Sequence, residues 1–414
     1  MDKRYDVIIA GAGPAGAQCA RDLAARDYDV LVLETESEEE FPRQSNKSTG
    51  GTFPSMLASF GIPDDVVMHF TDKVVLESPN DHFVNQQAGA VLEFADFKRF
   101  LVGDGRNSGA EYRFDARVTN PVIEDGKLVG VTYDGSEIAY GDIIVDASGP
   151  SAPLAKMLGV SDLQRENQAI GVEYELEGVD LHGDGHTDLT DAMMLRLDHD
   201  IAPGGYSWIF HTGEDTVKVG LCYIQNDSHD RYATDDMGID DYLNHWLETD
   251  MRFENATRLE DKQHRGSAHI QLPGKLSTDR FMAIGDTVPT VDPIWGEGIH
   301  KAMRSARAAA VTADKCLTEN DTSAENMSTY DDLWHTNVAP RSKARLLIAE
   351  LLYLAPNDRY DAFMRDLRKA DMNTLKNANE GNKLALVKLF KPSDIPLLLR
   401  FAKQWYRDGF RGPS

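Results

Sequence analysis

Cysteine is scarce, basic residues are outnumbered and long apolar runs are missing from this 414-residue chain. Its three cysteines, Cys19, Cys222 and Cys316, lie far apart, which fits reduced thiols and excludes a CxxC metal or redox pair. No metal site is expected. No apolar stretch approaches the ~18 residues that a bilayer-crossing helix needs. Strand-like sequence starts at Tyr5, so no leader is expected and the setting expected is cytoplasmic. Lys and Arg number 43 against 68 Asp and Glu, a net charge of -25 at pH 7, and a field of that sign repels nucleic acid. The acids are scattered along the chain rather than massed in a tail, as adaptation to high salt would have it.

Residues 5 to 16 carry the strongest local signal. Tyr5-Asp6-Val7-Ile8-Ile9-Ala10 reads as a strand buried on both faces, and it runs directly into Gly11-x-Gly13-x-x-Gly16 at the mouth of a helix. In such a turn Gly11 permits the tight bend, Gly13 lets backbone approach a pyrophosphate, and Gly16 lets the helix pack on the strand. The pyrophosphate would rest on the free N–H groups of a helix over Ala15 to Arg26. A second buried strand, residues 29 to 33, ends in Glu34, about 20 residues past the glycines, where a carboxylate can take both ribose hydroxyls.

A second constellation stands far downstream. The strand-like residues 281 to 284 end in Gly285-Asp286, and Pro293-Ile294-Trp295-Gly296-Glu297-Gly298-Ile299 opens a long helix to Cys316. A nicotinamide dehydrogenase has no use for this feature. A flavin does: its ribityl chain needs an acceptor, here Asp286, and its ring gains from a helix N-terminus at Gly298. FAD is therefore the expected cofactor. Between the two lie a long polar loop, residues 35 to 51, a short helix at 96 to 102, a strand from Glu111 to Val118, a hairpin meander at 121 to 141 and a third buried strand at 142 to 146. Residues 165 to 275 read as strand-rich with a helix near 239 to 249, and residues 324 to 414 read as helical.

The order GxGxxG, Glu34, Asp146-x-x-Gly149, Gly285-Asp286 and Pro293-x-x-Gly296-Glu297-Gly298-Ile299 resembles the para-hydroxybenzoate-hydroxylase-type flavoproteins. Within them, Pro203-Gly204-Gly205-Tyr206-Ser207-Trp208-Ile209-Phe210 is similar to the PxxYxWxFP pattern of the geranylgeranyl reductase family. The resemblance implies an α/β fold. A Rossmann-like FAD-binding domain would take residues 1–160 and 276–325, an antiparallel-sheet substrate domain 161–275 with part of 55–92, and a helical region 326–414. It places Ala15, Glu34, Thr49, Gly50, Gly51, Val118, Asp286, Gly298 and Ile299 at the cofactor, beside Gly11, Gly13 and Gly16. Tyr206, Trp208 and Phe210 would line a tunnel for an isoprenoid chain. Alternate strand residues share a face, so the three make an aromatic wall suited to hydrocarbon, although a strand packing aromatics into a core reads the same way. Three departures stand out: Lys47-Ser48-Thr49-Gly50-Gly51 lacks the family's cysteine, Phe94 replaces a common Arg, and His211 replaces the closing Pro.

The activity implied is saturation of C=C bonds in geranylgeranyl chains, with archaeal-type ether lipids as the expected substrate and a quinone or pigment precursor as the alternative. An external electron donor, NAD(P)H or ferredoxin, is needed. His211 and Cys222 are the polar residues nearest the aromatic strand, but no residue identifies itself as the proton donor. Lys383, Lys388, Lys391, Arg400, Lys403, Arg407 and Arg411 face only Asp394 and Asp408, interleaved with Leu, Phe, Trp and Tyr. That basic, aromatic C-terminal region suits peripheral contact with an anionic membrane, and equally a solvated face on a packed helix pair. A flavin monooxygenase or halogenase of the same fold, and a lipid-binding flavoprotein without activity, remain alternatives.

Overall fold

The computed structural model describes residues 3–42, 48–183, 185–370 and 394–408. The strands in chain order are β1 (Arg4–Ala10), β2 (Val30–Leu33), β3 (Gly51–Thr52), β4 (Val67–Thr71), β5 (Lys73–Glu77), β6 (His82–Asn85), β7 (Gly89–Leu92), β8 (Glu111–Arg113), β9 (Val118–Glu124), β10 (Lys127–Tyr133), β11 (Glu137–Asp146), β12 (Gln168–Glu177), β13 (Ala192–Arg196), β14 (Gly205–Gly213), β15 (Thr216–Ile224), β16 (Thr257–His269), β17 (Ser277–Thr278) and β18 (Phe281–Ala283).

They form three sheets. The first has the order β17-β18-β11-β1-β2-β8, with β10 and β9 folded back on β11. Its centre is parallel: β1 pairs with β2 and β11, β11 with β18, and β2 with β8. The burial of Val7, Ile8, Ile9 and of Val30 to Leu33 on both sheet faces explains their unbroken apolar sequence. The helices Pro14–Ala24 and Ile299–Thr318 pack together on this sheet, and their small residues Ala17, Ala20, Ala306, Ala309 and Ala313 are buried.

The second sheet has the order β16-β12-β15-β14-β13-β5-β6, antiparallel except where β13 runs parallel to β5. The third, β3-β7-β4, packs against β14 of the second. The helices Ser342–Leu354 and Asn357–Leu367 close the far end, where Tyr353, Tyr360 and Met364 are buried with Ile294 and Leu197.

Several expected elements shift. The first helix ends at Ala24, because Arg26 and Asp27 close its last turn with Asp27 at φ +63°. The helix expected at 96 to 102 runs Phe94–Asn107, since Glu93 caps it and accepts from the Ala95 N–H. Val118 does not end the strand of Glu111: that strand stops at Arg113, and Val118 opens β9. The meander and the third buried strand are continuous in β11. The two turns of the meander form at Asp125-Gly126 and Asp134-Gly135, all four with positive φ, as two-residue hairpin turns require.

In the C-terminal region, Lys383, Lys388, Lys391 and Arg411 lie outside the described residues. Asp394 is buried and ion-paired with Arg359 at 2.7 Å. The helix Ile395–Asp408 exposes Ile395, Leu398 and Leu399.

Candidate functional site: one cavity shared by two glycine turns and an aromatic wall

A cavity of about 1930 Å³ runs between the first two sheets. That is about twice the upper end of the ~300–1,000 Å³ common for single small-ligand pockets, so there is room for a cofactor and a second ligand together. Gly11, Gly13, Ala15, Glu34, Thr49, Gly50, Gly51, Val118, Asp286, Gly298 and Ile299 all line it, as do Tyr206, Trp208 and Phe210. Gly16 does not. Its Cα faces the Gly11 carbonyl so closely that a Cβ would stand 2.0 Å from that oxygen, so its part is close helix–strand packing.

The two glycine turns meet. Gly285, at φ +59°, lies against Ala15, whose methyl is 2.8 Å from where a Cβ would project. The Gly149 N–H donates to Thr287 Oγ1 at 3.1 Å, tying the end of β11 to the Gly-Asp turn. Gly11 needs its φ of +102°, and a side chain there would strike the Ala147 carbonyl. Gly13, by contrast, faces open space, and as N-cap of Pro14–Ala24 it leaves that helix without a side-chain cap. Gly298 likewise opens Ile299–Thr318 uncapped. Free N–H groups at both helix ends suit an anion or an electron-rich ring.

Two carboxylates complete this half. Glu34 accepts from the Ala12 N–H at 2.7 Å and the Glu36 N–H at 3.0 Å; each oxygen keeps a lone pair for a ribose hydroxyl. Asp286 is the more telling. Burial pushes its carboxyl up to about 6, and Oδ1 has no hydrogen-bond partner among the described residues. A buried, orphaned acceptor beside an open cradle is what a cofactor hydroxyl satisfies. The residues present thus fit FAD. Lys98 and Arg117, which sequence reasoning passed over, also line the cavity; Lys98 sits one turn past Phe94 and over the Phe41 ring at 4.7 Å.

The opposite wall is the second sheet. Tyr206, Trp208 and Phe210 alternate on β14, and each abuts a glycine. A Cβ on Gly296 would lie 2.0 Å from the Tyr206 hydroxyl, and one on Gly51 would lie 2.4 Å from the Phe210 ring. Gly296 and Gly51 belong to the two glycine loops expected at the cofactor, and both line the cavity, so the aromatic wall touches both. The indole of Trp208 lies over Gly220, where a Cβ would meet it at 2.4 Å. It thereby reaches past β15 to donate Nε1–H to Glu173 on β12 at 2.9 Å.

Beneath the wall is a charged layer that sequence reasoning missed. Glu173 is 3% exposed, and desolvation raises its carboxyl while Lys218, Thr49 and Trp208 oppose the rise. Lys218, 2% exposed, donates to the carbonyls of Thr49 at 3.1 Å and Leu92 at 3.2 Å, pinning the loop before Gly50. Asp292 anchors the other loop. It accepts from the Ile294 and Trp295 N–H groups and pairs with Lys301 at 3.0 Å and Arg345 at 2.5 Å, which hold its carboxyl down at about 2. A charged residue inside an otherwise apolar strand, as in Val217-Lys218-Val219, was the available signal.

Of the two polar residues near the aromatic strand, Cys222 lines the cavity beside Tyr206, and burial pushes its thiol up to about 12. His211 does not line it. Its Nδ1 accepts from the Asp191 N–H and its Nε2 donates to the Glu214 carbonyl, both at 2.9 Å. Burial also lowers the affinity of His211 for a proton. With His69 and Asp191 it makes a group close enough to hold a metal ion, yet both ring nitrogens of His211 are already committed. The group therefore acts as a clip between β4 and β14.

Residues 6–141 match the family model of an FAD-binding domain, and residues 170–261 match that of the geranylgeranyl reductase catalytic domain. A digeranylgeranylglycerophospholipid reductase of Haloferax volcanii is 64% identical over 98% of this chain and 100% of its own length. A second, of Methanopyrus kandleri, is 27% identical over 96% of this chain and 98% of its own. In fold, the chain matches a geranylgeranyl bacteriochlorophyll reductase-like protein of Thermoplasma acidophilum, with a TM-score of 0.82 at 20% identity over 97% of this chain and 100% of that one. A flavin-dependent brominase follows at a TM-score of 0.74 and 20% identity, covering 98% and 100%. The chain belongs to the FAD-dependent digeranylgeranylglycerophospholipid reductases of the geranylgeranyl reductase family.

Proposed function

We infer that this protein saturates C=C bonds in the geranylgeranyl chains of a digeranylgeranylglycerophospholipid, in the building of archaeal ether lipids. One observation carries the reading: the aromatic wall of β14 and the paired glycine turns face a single cavity, and that wall touches both loops that would hold the flavin. FAD, when bound and reduced, supplies the hydride that an unactivated alkene needs.

The chain's own residues do the rest. The uncapped helix ends at Gly13 and Gly298 and the carboxylates of Glu34 and Asp286 would grip the cofactor, and Gly11, Ala15, Thr49, Gly50, Gly51, Val118 and Ile299 would shape its bed. Tyr206, Trp208 and Phe210 would seat one isoprene unit against it and keep water out, which fixes the reacting carbons where a transfer can occur. Lys218 and Asp292 hold the two loops in place from behind. The electron donor is external, NAD(P)H or ferredoxin. The exposed Ile395, Leu398 and Leu399, with Arg400 and Lys403 on the same helix, support a peripheral contact with the membrane from which the lipid is drawn. No helix among the described residues is long and apolar enough to cross a membrane.

Mass spectrometry of lipids from a strain lacking the gene tests this. Ether lipids should lose the mass of one hydrogen molecule per unreduced bond, restored by the intact gene and not by Trp208→Ala. An unchanged lipid profile overturns it.

A further inference from the structure

The helix Ser342–Leu354 changes character along the face it gives to the cavity. Arg341, Arg345, Ile348 and Leu352 all line the cavity, and their spacing of four, three and four residues puts them on one helical face. Two guanidinium groups at its start thus give way to hydrocarbon, with Leu352 about 16 Å beyond Arg341 at the rise of an α-helix. Phe83, Phe363 and Leu367 line the cavity at the apolar end. That end is tied to the aromatic wall: Tyr353 stacks on Tyr206 at 6.5 Å and donates to the Ile294 carbonyl at 2.9 Å.

The other end is a mouth, where Arg304, Pro340 and Arg341 are exposed and also line the cavity. Asp292 draws two helices together there, pairing with Lys301 at 3.0 Å and with Arg345 at 2.5 Å. Arg304 stands one turn past Lys301, and Arg341 one turn before Arg345. One carboxylate cannot neutralise two cations. The other acid at this mouth, Glu297, is engaged by His300 at 2.9 Å, and Arg304 has no hydrogen bond or ion pair among the described residues. In a chain of net charge -25 this is a local excess of positive charge. The backbone also holds Arg341 there at a cost: it follows a π-helical turn at Trp334–Val338 and sits at φ +58°, which a residue with a side chain rarely adopts.

Resting on the reductase reading above, we propose that this mouth seats the phosphate of an amphiphilic substrate. Arg304 and Arg341 bind the phosphate, and Lys301 and Arg345 supply positive charge behind them. The helix Ser342–Leu354 then lays the attached chain along Ile348 and Leu352 toward Tyr206. Guanidinium groups match phosphate oxygens with paired N–H donors, and the local field captures an anion that the protein as a whole repels. The phosphate of a nicotinamide dinucleotide offers the same anion, but it brings no hydrocarbon for the second half of the helix face. A lipid phosphate satisfies both halves.

Equilibrium binding to the oxidised holoenzyme, read by tryptophan fluorescence, tests this with two probes in neutral detergent micelles: digeranylgeranylglycerol phosphate and the same lipid without its phosphate. Wild type should prefer the phosphate lipid, and Arg304→Gln combined with Arg341→Gln should cut that preference about tenfold or more. Both side chains are exposed, so the double variant should fold. Arg341→Lys should keep part of the preference, whereas Leu352→Gln should weaken both lipids without changing it. In turnover, the double variant should raise KM for the phosphate lipid far more than it lowers kcat. No preference in wild type, or an unchanged one in the double variant, overturns the seat; if KM for NADPH rises instead, the mouth holds the donor's phosphate. Wild-type holoenzyme that binds the phosphate lipid with this preference but reduces neither lipid would overturn the reductase reading and leave the seat standing.

Discussion

Asp286 links cofactor affinity to pH with a sign and a size that can be worked out. In the protein without cofactor, burial alone raises its carboxyl from the ordinary 3.8 to about 6. A flavin hydroxyl donating to the orphaned Oδ1 favours the ionised form and draws the value back down. Binding therefore releases a proton, and affinity falls as pH falls. If the ordinary value is fully restored, the span between the two limits is ~10²-fold in affinity, or ~3 kcal/mol. Only about a tenth of Asp286 is ionised at pH 5, so FAD should bind roughly tenfold more weakly there than at pH 7. The stability of the empty protein moves the opposite way. A carboxyl raised in the folded state stabilises it below pH 4, and that contribution is lost as pH rises through 6. Asp286→Asn should therefore make the empty protein more stable at pH 7, by up to ~3 kcal/mol, while weakening FAD and flattening its pH dependence. Flavin fluorescence titrations between pH 5 and 8, with urea unfolding of both empty proteins, read the two effects. Wild-type affinity that does not change across this range, or an Asn variant that keeps the slope, refutes the reasoning.

Gly296→Ala should raise KM and weaken FAD, because its Cβ meets the Tyr206 hydroxyl at 2.0 Å and its φ is +65°; adding Tyr206→Phe should recover most of the loss, leaving about 1 kcal/mol of backbone strain. Asp292→Ala strips the shared partner from Lys301 and Arg345 and should cost about 3–5 kcal/mol in denaturant unfolding, whereas Asp292→Asn should cost less by keeping the caps on Ile294 and Trp295. The net charge of -25 should make the melting temperature rise steadily with potassium chloride up to molar concentrations, as screening relieves self-repulsion; a melting temperature indifferent to salt would contradict this.

The glycine turns and the strand-to-helix units around them were legible because each is local: a buried strand, its turn and the following helix occupy about thirty consecutive residues. The aromatic wall was legible for the same reason, since period-two alternation puts Tyr206, Trp208 and Phe210 on one face whatever the neighbours are. What the wall leans on was not. Trp208 reaches Glu173 only because Gly220 lies between them, and that depends on the register of β12, β15 and β14, which no short window contains. Asp292 escaped notice similarly: its partners arrive from one helix nine residues on and another fifty-three residues on.

The same register explains how one hydrophobic tunnel can carry buried charge without coming apart. Glu173, Glu175 and Lys218 sit on the cavity-facing side of their strands, where apolar residues would make a drier and more stable wall, since replacing a buried ion pair by packed hydrocarbon is often neutral or stabilising. Their retention costs stability unless each charge does more than its neighbour could. Lys218 meets this condition by gripping the carbonyls of Thr49 and Leu92, which sets the loop that ends in Gly50 and Gly51. Glu173 meets it by fixing the indole across Gly220. The consequence is that the aromatic wall and the loop before Gly50 are positioned by two buried polar side chains on neighbouring strands. A change at either strand therefore moves both ligands' beds together, and Lys218→Met, although it fits the volume, should lower kcat and FAD affinity in the same variant.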